Sequence, residues 1–244
     1  MSAVLHATAL AETRVASALA LLRDAAALQP AAFSTSFSAE DMVLLDLMQR
    51  HALPIGALTL DTERLPEETY ALMQQVEARY GRVVRTVFPD AQAVATLVAA
   101  NGINGFYESV DKRKACCSVR KLQPLARALQ GHAAWVTGQR TAQSVTRGEL
   151  AAREVDAARG IAKFNPLHDW SEADVWAYIR ANDVPYNALH DRGYPSIGCA
   201  PCTRAITPGE DLRAGRWWWE NPETKECGLH DARRVHRLRA KETA

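Results

Sequence analysis

The sequence predicts an α/β fold built on a parallel β-sheet. Short β-like apolar runs alternate with helical runs through the first two thirds of the 244 residues. This alternation is typical of βαβ units with right-handed crossovers, and ligands of such sheets bind at the carboxyl ends of the strands. After about Asn182 the alternation stops. We therefore divide the chain into an α/β core at 1–182 and a loop-rich segment at 183–244 that belongs to the same domain and packs over the binding edge.

The candidate elements follow from apolar periodicity and from helix capping residues. The candidate strands are Ala32–Ser36, Ile55–Leu60, Val83–Phe88, Ala134–Gly138 and Ile161–Asn165. The candidate helices are Glu12–Leu28, Glu40–His51, Pro66–Tyr80, Ala91–Asn101, Ser118–Leu129 and Glu172–Asn182. Pro66 suits a first helical position, and Ser171 with Asp174 predicts a capping box.

Composition and charge limit the classes of function. Hydrophobic residues make up 48% of the chain and the net charge is +1, so no general field attracts nucleic acid or membrane. No stretch is apolar enough to span a bilayer. The N-terminus predicts an amphipathic helix, with Val15, Leu19 and Leu22 on one face, in place of an export signal. We therefore expect a cytoplasmic protein, in which clustered cysteines indicate metal binding or catalysis.

Polar residues follow the first two candidate strands. Ser36 and Ser38 lie in the first turn, where Ser38 caps the next helix with Asp41 three residues later. A helix N-terminus attracts anions, so the turn is a candidate phosphate contact, although an ordinary capped turn has the same pattern. Asp61 and Thr62 follow the second strand. They either bond a ribose or base, or begin the next helix.

Cysteine spacing is the most specific pattern in the chain. Cys116 and Cys117 are adjacent, and Cys199 and Cys202 form a Cys-x-x-Cys motif. Four thiolates suit a tetrahedral zinc site or a 4Fe–4S cluster. Neighbouring cysteines tend to point apart and so chelate a single ion poorly, whereas a cubane offers each thiolate its own iron. The spacing favours the cluster over zinc, and a redox role for the Cys-x-x-Cys pair stays open.

A basic run surrounds the adjacent cysteines. Its members are Lys112, Arg113, Lys114, Arg120 and Lys121. Alone, such a run indicates a solvated helix face, but a buried cluster carries negative charge that needs nearby cations. Lys121 lies one helical turn from Cys117, where it would face both a cluster and an anionic substrate.

Cys227 is the fifth cysteine and belongs to neither pair. It is either a spare surface thiol or a nucleophile. Lys225 and His230 lie beside it and would lower the pKa of its thiol, and Gly228 makes the backbone pliable. These neighbours favour a nucleophile.

Taken together, the motifs resemble the assimilatory sulfonucleotide reductases, specifically the adenylyl-sulfate (APS) reductase branch. The resemblance runs from Phe33 to His230. The segments that carry it are SFSAED at 36–41, LDTERL at 60–65, CCSVRKLQPL at 116–125, GQRTAQS at 138–144, KFNPLHDW at 163–170, VPYNALHDRGYPSIGCAPCTR at 184–204, GRWWWE at 215–220 and KECGLH at 225–230.

The resemblance implies a Rossmann-like sheet of the adenine nucleotide alpha hydrolase type and reduction of APS to sulfite and AMP. It implies a 4Fe–4S cluster on the four paired cysteines and a thioredoxin- or glutaredoxin-like reductant. Cys227 would attack the substrate sulfur and form an S-sulfocysteine. The residues implied to hold the phosphosulfate are Lys121, Arg213, Arg216 and His230, with Arg140 as a further candidate.

Three alternatives remain, and one residue departs from the pattern. The chain could reduce 3′-phospho-APS (PAPS) by the same mechanism. A cluster-bearing sulfurtransferase of the nucleotide-hydrolase type would need an ATP-splitting Ser-Gly-Gly loop, which SFSAED is not. A zinc-stapled binding protein is the non-enzymatic alternative. Glu63 stands where the family pattern has glycine. The sequence leaves the oligomeric state open.

Overall fold

The computed structural model describes residues 2–141 and 150–225, with side chains from Glu12 onward apart from Pro222. The helices are α1 (Ser2–Ala27), α2 (Ala39–Arg50), α3 (Glu67–Tyr80), α4 (Ala91–Asn101), α5 (Val110–Cys117), α6 (Gln123–Leu129) and α7 (Glu172–Ala181). The strands are β1 (Ala31–Thr35), β2 (Gly56–Leu60), β3 (Val84–Val87), β4 (Ala134–Val136), β5 (Arg153–Asp156) and β6 (Ile161–Phe164).

The six strands form one sheet in the order β3-β2-β1-β4-β6-β5. All neighbouring pairs are parallel except β5 with β6. The five predicted strands are therefore confirmed, and the parallel α/β fold with them. Sequence reasoning missed β5, because this edge strand lacks apolar alternation and its Val155 is 72% exposed.

The strand order reverses between β1 and β4. β2 and β3 extend the sheet on one side of β1, and β4 and β6 extend it on the other. Such a reversal opens a crevice at the carboxyl ends of the two central strands, where ligands of open α/β sheets bind. The fold thus places the candidate site beside the turns that follow β1 and β4.

The main core lies between the sheet and helices α1, α2 and α7. Leu22 of α1 and Leu44 of α2 are fully buried, and Val175 of α7 packs in the same cluster. Ser171 and Asp174 form the predicted capping box at the start of α7. Burial of α1 along Leu19 and Leu22 confirms the predicted amphipathic N-terminal helix.

The helix that carries the adjacent cysteines begins earlier than predicted. Sequence reasoning placed one helix at Ser118–Leu129, but α5 begins at Val110, and a π-helical turn, Ser118–Leu122, joins α5 to α6. Cys116 and Cys117 therefore close the last turn of α5. A π-turn widens the helix locally, and such turns occur frequently at functional sites.

Beyond α7 the chain forms short 3₁₀ turns and loops as far as Lys225, as predicted. A single β-bridge joins Thr203 to Arg216. Across residues 2–141 and 150–225, no helix combines the length and apolar character that a membrane crossing requires.

Candidate functional site

A cavity of about 280 Å³ lies at the carboxyl edge of the sheet. The ends of β1, β2 and β4 form its floor, and the loops after α7 form the opposite wall. The sequence-predicted residues that line it are Ser36, Ser38, Thr62, Lys121, Arg140, Arg213 and Arg216, together with Cys199. The predicted binding edge and most of the predicted residues therefore meet in one place.

The turn after β1 holds a buried carboxylate. Asp41 accepts hydrogen bonds from the Ser36 backbone N–H at 2.6 Å and from the Ser36 hydroxyl at 2.9 Å. Ser38 caps α2, as predicted, by accepting the Asp41 N–H. Burial raises the pKa of Asp41 to about 6, although the Ser36 hydrogen bonds oppose this shift. A carboxylate of this chain thus already uses two of the donors that the turn would offer an anion.

Gly138 makes room for this carboxylate. A Cβ atom at Gly138 would lie 2.2 Å from Asp41 Oδ1, so only glycine fits beside it. Phe37, in the same turn, has a positive φ of 58° although it is not glycine. Such strained backbone clusters at functional sites.

Arg140 forms a buried ion pair with Glu40. Its Nε and Nη2 both donate to Glu40 Oε1, at 2.8 and 2.7 Å, and its Nη1 donates to the Trp170 carbonyl. Arg140 is 5% exposed. The arginine that sequence reasoning assigned to substrate is therefore also a structural tie between the β4 turn and α2.

The loop after β2 joins the cavity to the cysteines. Thr62 lines the cavity, and its hydroxyl lies 3.2 Å from Cys199 Sγ. Asp61 is not among the cavity-lining residues; its carboxylate accepts hydrogen bonds from the Glu63 N–H and the Tyr70 hydroxyl. The structure thus gives Thr62 a place beside the cavity and gives Asp61 contacts that hold the loop. α3 begins at Glu67 with Pro66 as a cap residue that makes no side-chain bond.

The backbone conformation at Glu63 accounts for the glycine that the family pattern has at this position. Its φ is +58°, in the left-handed region that glycine adopts without strain. The Glu63 carboxylate binds Arg120 Nη1 at 2.8 Å, and the same nitrogen donates to the Thr62 carbonyl. This ion pair joins the strained loop to the π-turn.

The four paired cysteines come together in one buried pocket, which we call the cysteine pocket. Its members are Cys116, Cys117, Cys199, Cys202, Phe106, Trp217 and Trp219. The pocket adjoins the cavity, because Cys199 and Trp217 line both. Sequence reasoning could pair the cysteines but could not establish that the two pairs meet.

The charges around the pocket act differently on its thiols. Burial opposes ionisation of Cys199, yet Lys121, the Thr62 hydrogen bond and Arg216 together lower the pKa of its thiol. Lys121 also hydrogen-bonds to the Cys199 sulfur. Burial raises the pKa of Cys202 to about 12, and the charge on Cys199 adds to this shift. Four thiolates at this spacing thus repel one another and need cations or a metal group.

Two further observations test the fit of a sulfur-rich anionic group. The buried Nε1–H groups of Trp217 and Trp219 have no hydrogen-bond partner in the part of the chain that the structure describes. Indole N–H groups only donate, so an acceptor in the cysteine pocket would satisfy them. In the same described part, no three or more His, Cys, Asp or Glu side chains are grouped so that they could hold a metal ion. The fit of a sulfur-rich group therefore rests on the unpartnered indole N–H groups and on the cations beside Cys199.

Arg216 lies between the cavity and the cysteine pocket. It is 8% exposed, and its Nη1 donates to the Ile197 carbonyl at 3.2 Å. A Cβ atom at Gly198 would lie 2.2 Å from Arg216 Nη2, so any larger residue there would displace the guanidinium. The guanidinium stacks on Trp217 with 4.8 Å between its carbon and the ring centroid. Arg213 lines the cavity and donates to the Lys225 carbonyl.

Cys227 and His230 lie outside the described residues, the last of which is Lys225. Sequence reasoning counted Arg113 in the basic run that would balance a cluster, but it did not predict that this side chain is fully buried. Its spacing of four residues from Cys117 was the available signal. It also missed two aromatic residues that line the cavity. Trp176 lies on α7, and His190 lies in the loops that follow it.

Comparison with known proteins identifies the family of this chain. Residues 30–205 match the family described as the phosphoadenosine phosphosulfate reductase domain. The chain is 61% identical to an adenosine 5′-phosphosulfate reductase of Allochromatium vinosum, over 89% of this chain and 86% of that protein. It is 59% identical to the enzyme of that name from Burkholderia cepacia, over 81% and 79%.

Two solved structures are also similar to this chain. A phosphoadenylyl-sulfate reductase from Candida auris superposes with a TM-score of 0.66 at 30% identity, covering 78% of this chain and 90% of that one. A Candida glabrata FMN adenylyltransferase superposes at 0.56 with 15% identity, over 94% and 83%, and shows the shared fold alone. From the family match and the two bacterial relatives together, this chain belongs to the adenosine 5′-phosphosulfate reductases.

Proposed function

We propose that this protein reduces APS to sulfite and AMP, with a thioredoxin- or glutaredoxin-like protein as reductant, in assimilatory sulfate reduction. The observation that carries the proposal is the junction at Cys199. There the four-cysteine pocket, Lys121 and a cavity at the nucleotide-binding edge of the sheet meet. The curated relatives bear the name of this activity.

The cavity residues suit an anionic nucleotide. Lys121, Arg213 and Arg216 bring positive charge to the wall beside the cysteine pocket, and we assign them to the phosphosulfate. Thr62, Ser36 and Ser38 supply hydroxyls at the ends of β2 and β1, and we assign them to the nucleoside. Asp61 and Arg140 act on substrate through the loops they hold, since both are engaged within the protein.

The chemistry requires a nucleophile and a stable leaving group. We assign the nucleophile to Cys227, which attacks the sulfur of APS. The bond from sulfur to the phosphate oxygen breaks, AMP leaves with the electron pair, and Cys227 holds the sulfonate. Positive charge is needed because a thiolate attacks an anion. His230 is assigned to the same sulfonate.

The second half of the reaction restores the thiol. A reduced dithiol partner attacks the Cys227 sulfur, and sulfite leaves with the electron pair of the sulfur–sulfur bond. The resulting mixed disulfide is opened by the second thiol of the partner. Both electrons come from that dithiol, so no other reductant is needed.

The four paired cysteines are assigned to a 4Fe–4S cluster. The unpartnered indole N–H groups and the cations around Cys199 support this assignment. When bound, the cluster supplies negative charge and sulfur acceptors that order the pocket. We place the protein in the cytoplasm, where thiols stay reduced, and we treat 183–244 as the part of the single domain that carries the Cys-x-x-Cys pair and Cys227.

One experiment tests the proposal. Anaerobically purified protein is assayed for iron, sulfide and visible absorption, and then for sulfite release from APS and from PAPS with a reduced thioredoxin. We expect iron and sulfide in equal amounts and faster turnover of APS. Turnover of PAPS alone would refute the substrate assignment, and a colourless protein loaded with zinc would refute the cluster.

A further inference from the structure

Arg113 links the cysteine pocket to the segment that precedes Cys227. Its side chain is fully buried on α5, one turn before Cys117, and it hydrogen-bonds to the Cys117 sulfur. The same guanidinium donates to both carboxylate oxygens of Glu220, at 2.8 and 2.7 Å, and to the Thr224 carbonyl at 2.7 Å. One side chain thus binds a proposed cluster ligand and two points of the C-terminal segment.

Several contacts hold the C-terminal segment at this point. The Glu220 carboxylate also accepts the Thr224 hydroxyl at 3.0 Å, which closes a ring of bonds around residues 220–224. Two guanidinium groups contact Trp217, with the carbons of Arg113 and Arg216 at 4.6 and 4.8 Å from its ring centroid. The buried Arg113 therefore links residues 217–224 to α5, in addition to the Trp217 backbone N–H that donates to the Cys202 carbonyl.

A buried arginine with several partners transmits changes among them. A guanidinium is planar and permanently charged, so its five donors cannot all be satisfied if one partner moves. A metal ligand must be deprotonated, so metal binding would keep Cys117 as a thiolate. The Arg113 guanidinium would then bind a thiolate in a fixed position. Its remaining donors would hold Glu220 and Thr224 in fixed positions as well.

We propose that Arg113 is a positioning residue that makes the placement of segment 217–225 depend on the occupancy of the cysteine pocket. The segment leads into Cys227, so the coupling sets how the proposed nucleophile is presented. The kinetic readout of this inference rests on the proposed function. The response of segment 217–225 to the cluster is measured separately, by hydrogen exchange.

The test compares Arg113→Lys and Glu220→Gln with Arg192→Lys. Arg192 forms a surface ion pair with Glu68 and is 60% exposed, so it matches the chemistry without touching the pocket. Each protein is purified anaerobically, its iron content is measured, and hydrogen exchange is followed in peptides that cover 217–225. In the unaltered protein, removal of the cluster should increase exchange in these peptides by roughly tenfold or more.

In Arg113→Lys and Glu220→Gln, with iron retained, these peptides should exchange nearly as fast as in the cluster-free protein. The kcat for APS should fall roughly 10- to 100-fold with little change in KM, as for residues that orient a reacting group. Arg192→Lys should match the unaltered protein. If Arg113→Lys does not fold, Glu220→Gln carries the test.

Slow exchange in 217–225 without the cluster would overturn the proposal, as would iron-loaded variants whose segment stays protected. The kinetic result separates the two proposals. If the unaltered protein reduces no sulfonucleotide, the proposed function fails, while the exchange measurement still decides whether Arg113 couples the pocket to the segment.

Discussion

Lys121 contacts Cys199 at the boundary between the cavity and the cysteine pocket. The lysine lies on the π-turn that follows the adjacent cysteines, lines the cavity, and hydrogen-bonds to the Cys199 sulfur. Its charge is the first of the effects that lower the pKa of this thiol against the cost of burial. A single cation therefore serves both a proposed metal ligand and the proposed substrate.

Lys121→Ala should lower kcat/KM for APS by roughly 100-fold, because it removes a cation from the site where charge develops. Steady-state sulfite release measures the loss, and the visible spectrum checks that the cluster remains. Lys112→Ala is the control, since Lys112 belongs to the same basic run but pairs with Glu108 on the surface. Equal losses in both variants would contradict a specific role for Lys121.

Replacing the cysteines should separate two classes. Cys227→Ser should retain iron and lose turnover, because a hydroxyl is a far weaker nucleophile than a thiolate. Cys202→Ser should lose iron, because Cys202 lies in the cysteine pocket. Mass spectrometry after reaction with APS alone should find one sulfonate on Cys227. A sulfonate on another side chain would show that the assignment is wrong.

Gly198→Ala should impair substrate binding. The new methyl group would lie 2.2 Å from Arg216 Nη2 and would push the guanidinium from its place in the cavity wall. We expect kcat/KM for APS to fall about 10- to 100-fold, a typical cost of a small displacement near the reacting atoms. Gly56→Ala is the matched control, since its Cβ would make an ordinary 3.7 Å contact. Unchanged kinetics in Gly198→Ala would mean that Arg216 does not bind substrate.

Asp41→Asn should change how stability depends on pH. The pKa of Asp41 is raised from 3.8 to about 6, so the folded state holds its proton more tightly than the unfolded state. Stability from this group is therefore greatest below 3.8 and falls as pH rises to about 6. The fall amounts to about 3 kcal/mol at about 1.4 kcal/mol per pKa unit.

The variant lacks this titration. The free energy of unfolding of the unaltered protein should therefore fall relative to that of the variant as pH rises from 3.8 to about 6. Anaerobic urea unfolding at both ends of the window measures the difference. A constant difference at the two pH values would show that Asp41 has an ordinary pKa.

Local patterns in the sequence were sufficient for most of the fold. The strand runs ending at Leu60 and Val136 and the capping box at Ser171 depend on near neighbours, and the structure contains them. The edge strand β5 was missed because it lacks apolar alternation and its Val155 is exposed, although its partner β6 follows closely in the chain. The start of α5 was missed because Val110–Cys117 is mostly polar and lacks apolar periodicity, although Ser109 caps the helix.

The candidate site divides in the same way. Residue identity and spacing along the chain supplied the two cysteine pairs, the lone Cys227 and the cations near Cys117, because these patterns depend on which residues are present. Only the tertiary structure decided that the pairs meet, that Lys121 reaches Cys199 across the sheet edge, and that Asp41 and Arg140 have protein partners. The physical reason is that these contacts join segments far apart in the chain. Packing of the segments sets their burial, hydrogen bonding and charge pairing, and the residues near each position in the sequence do not.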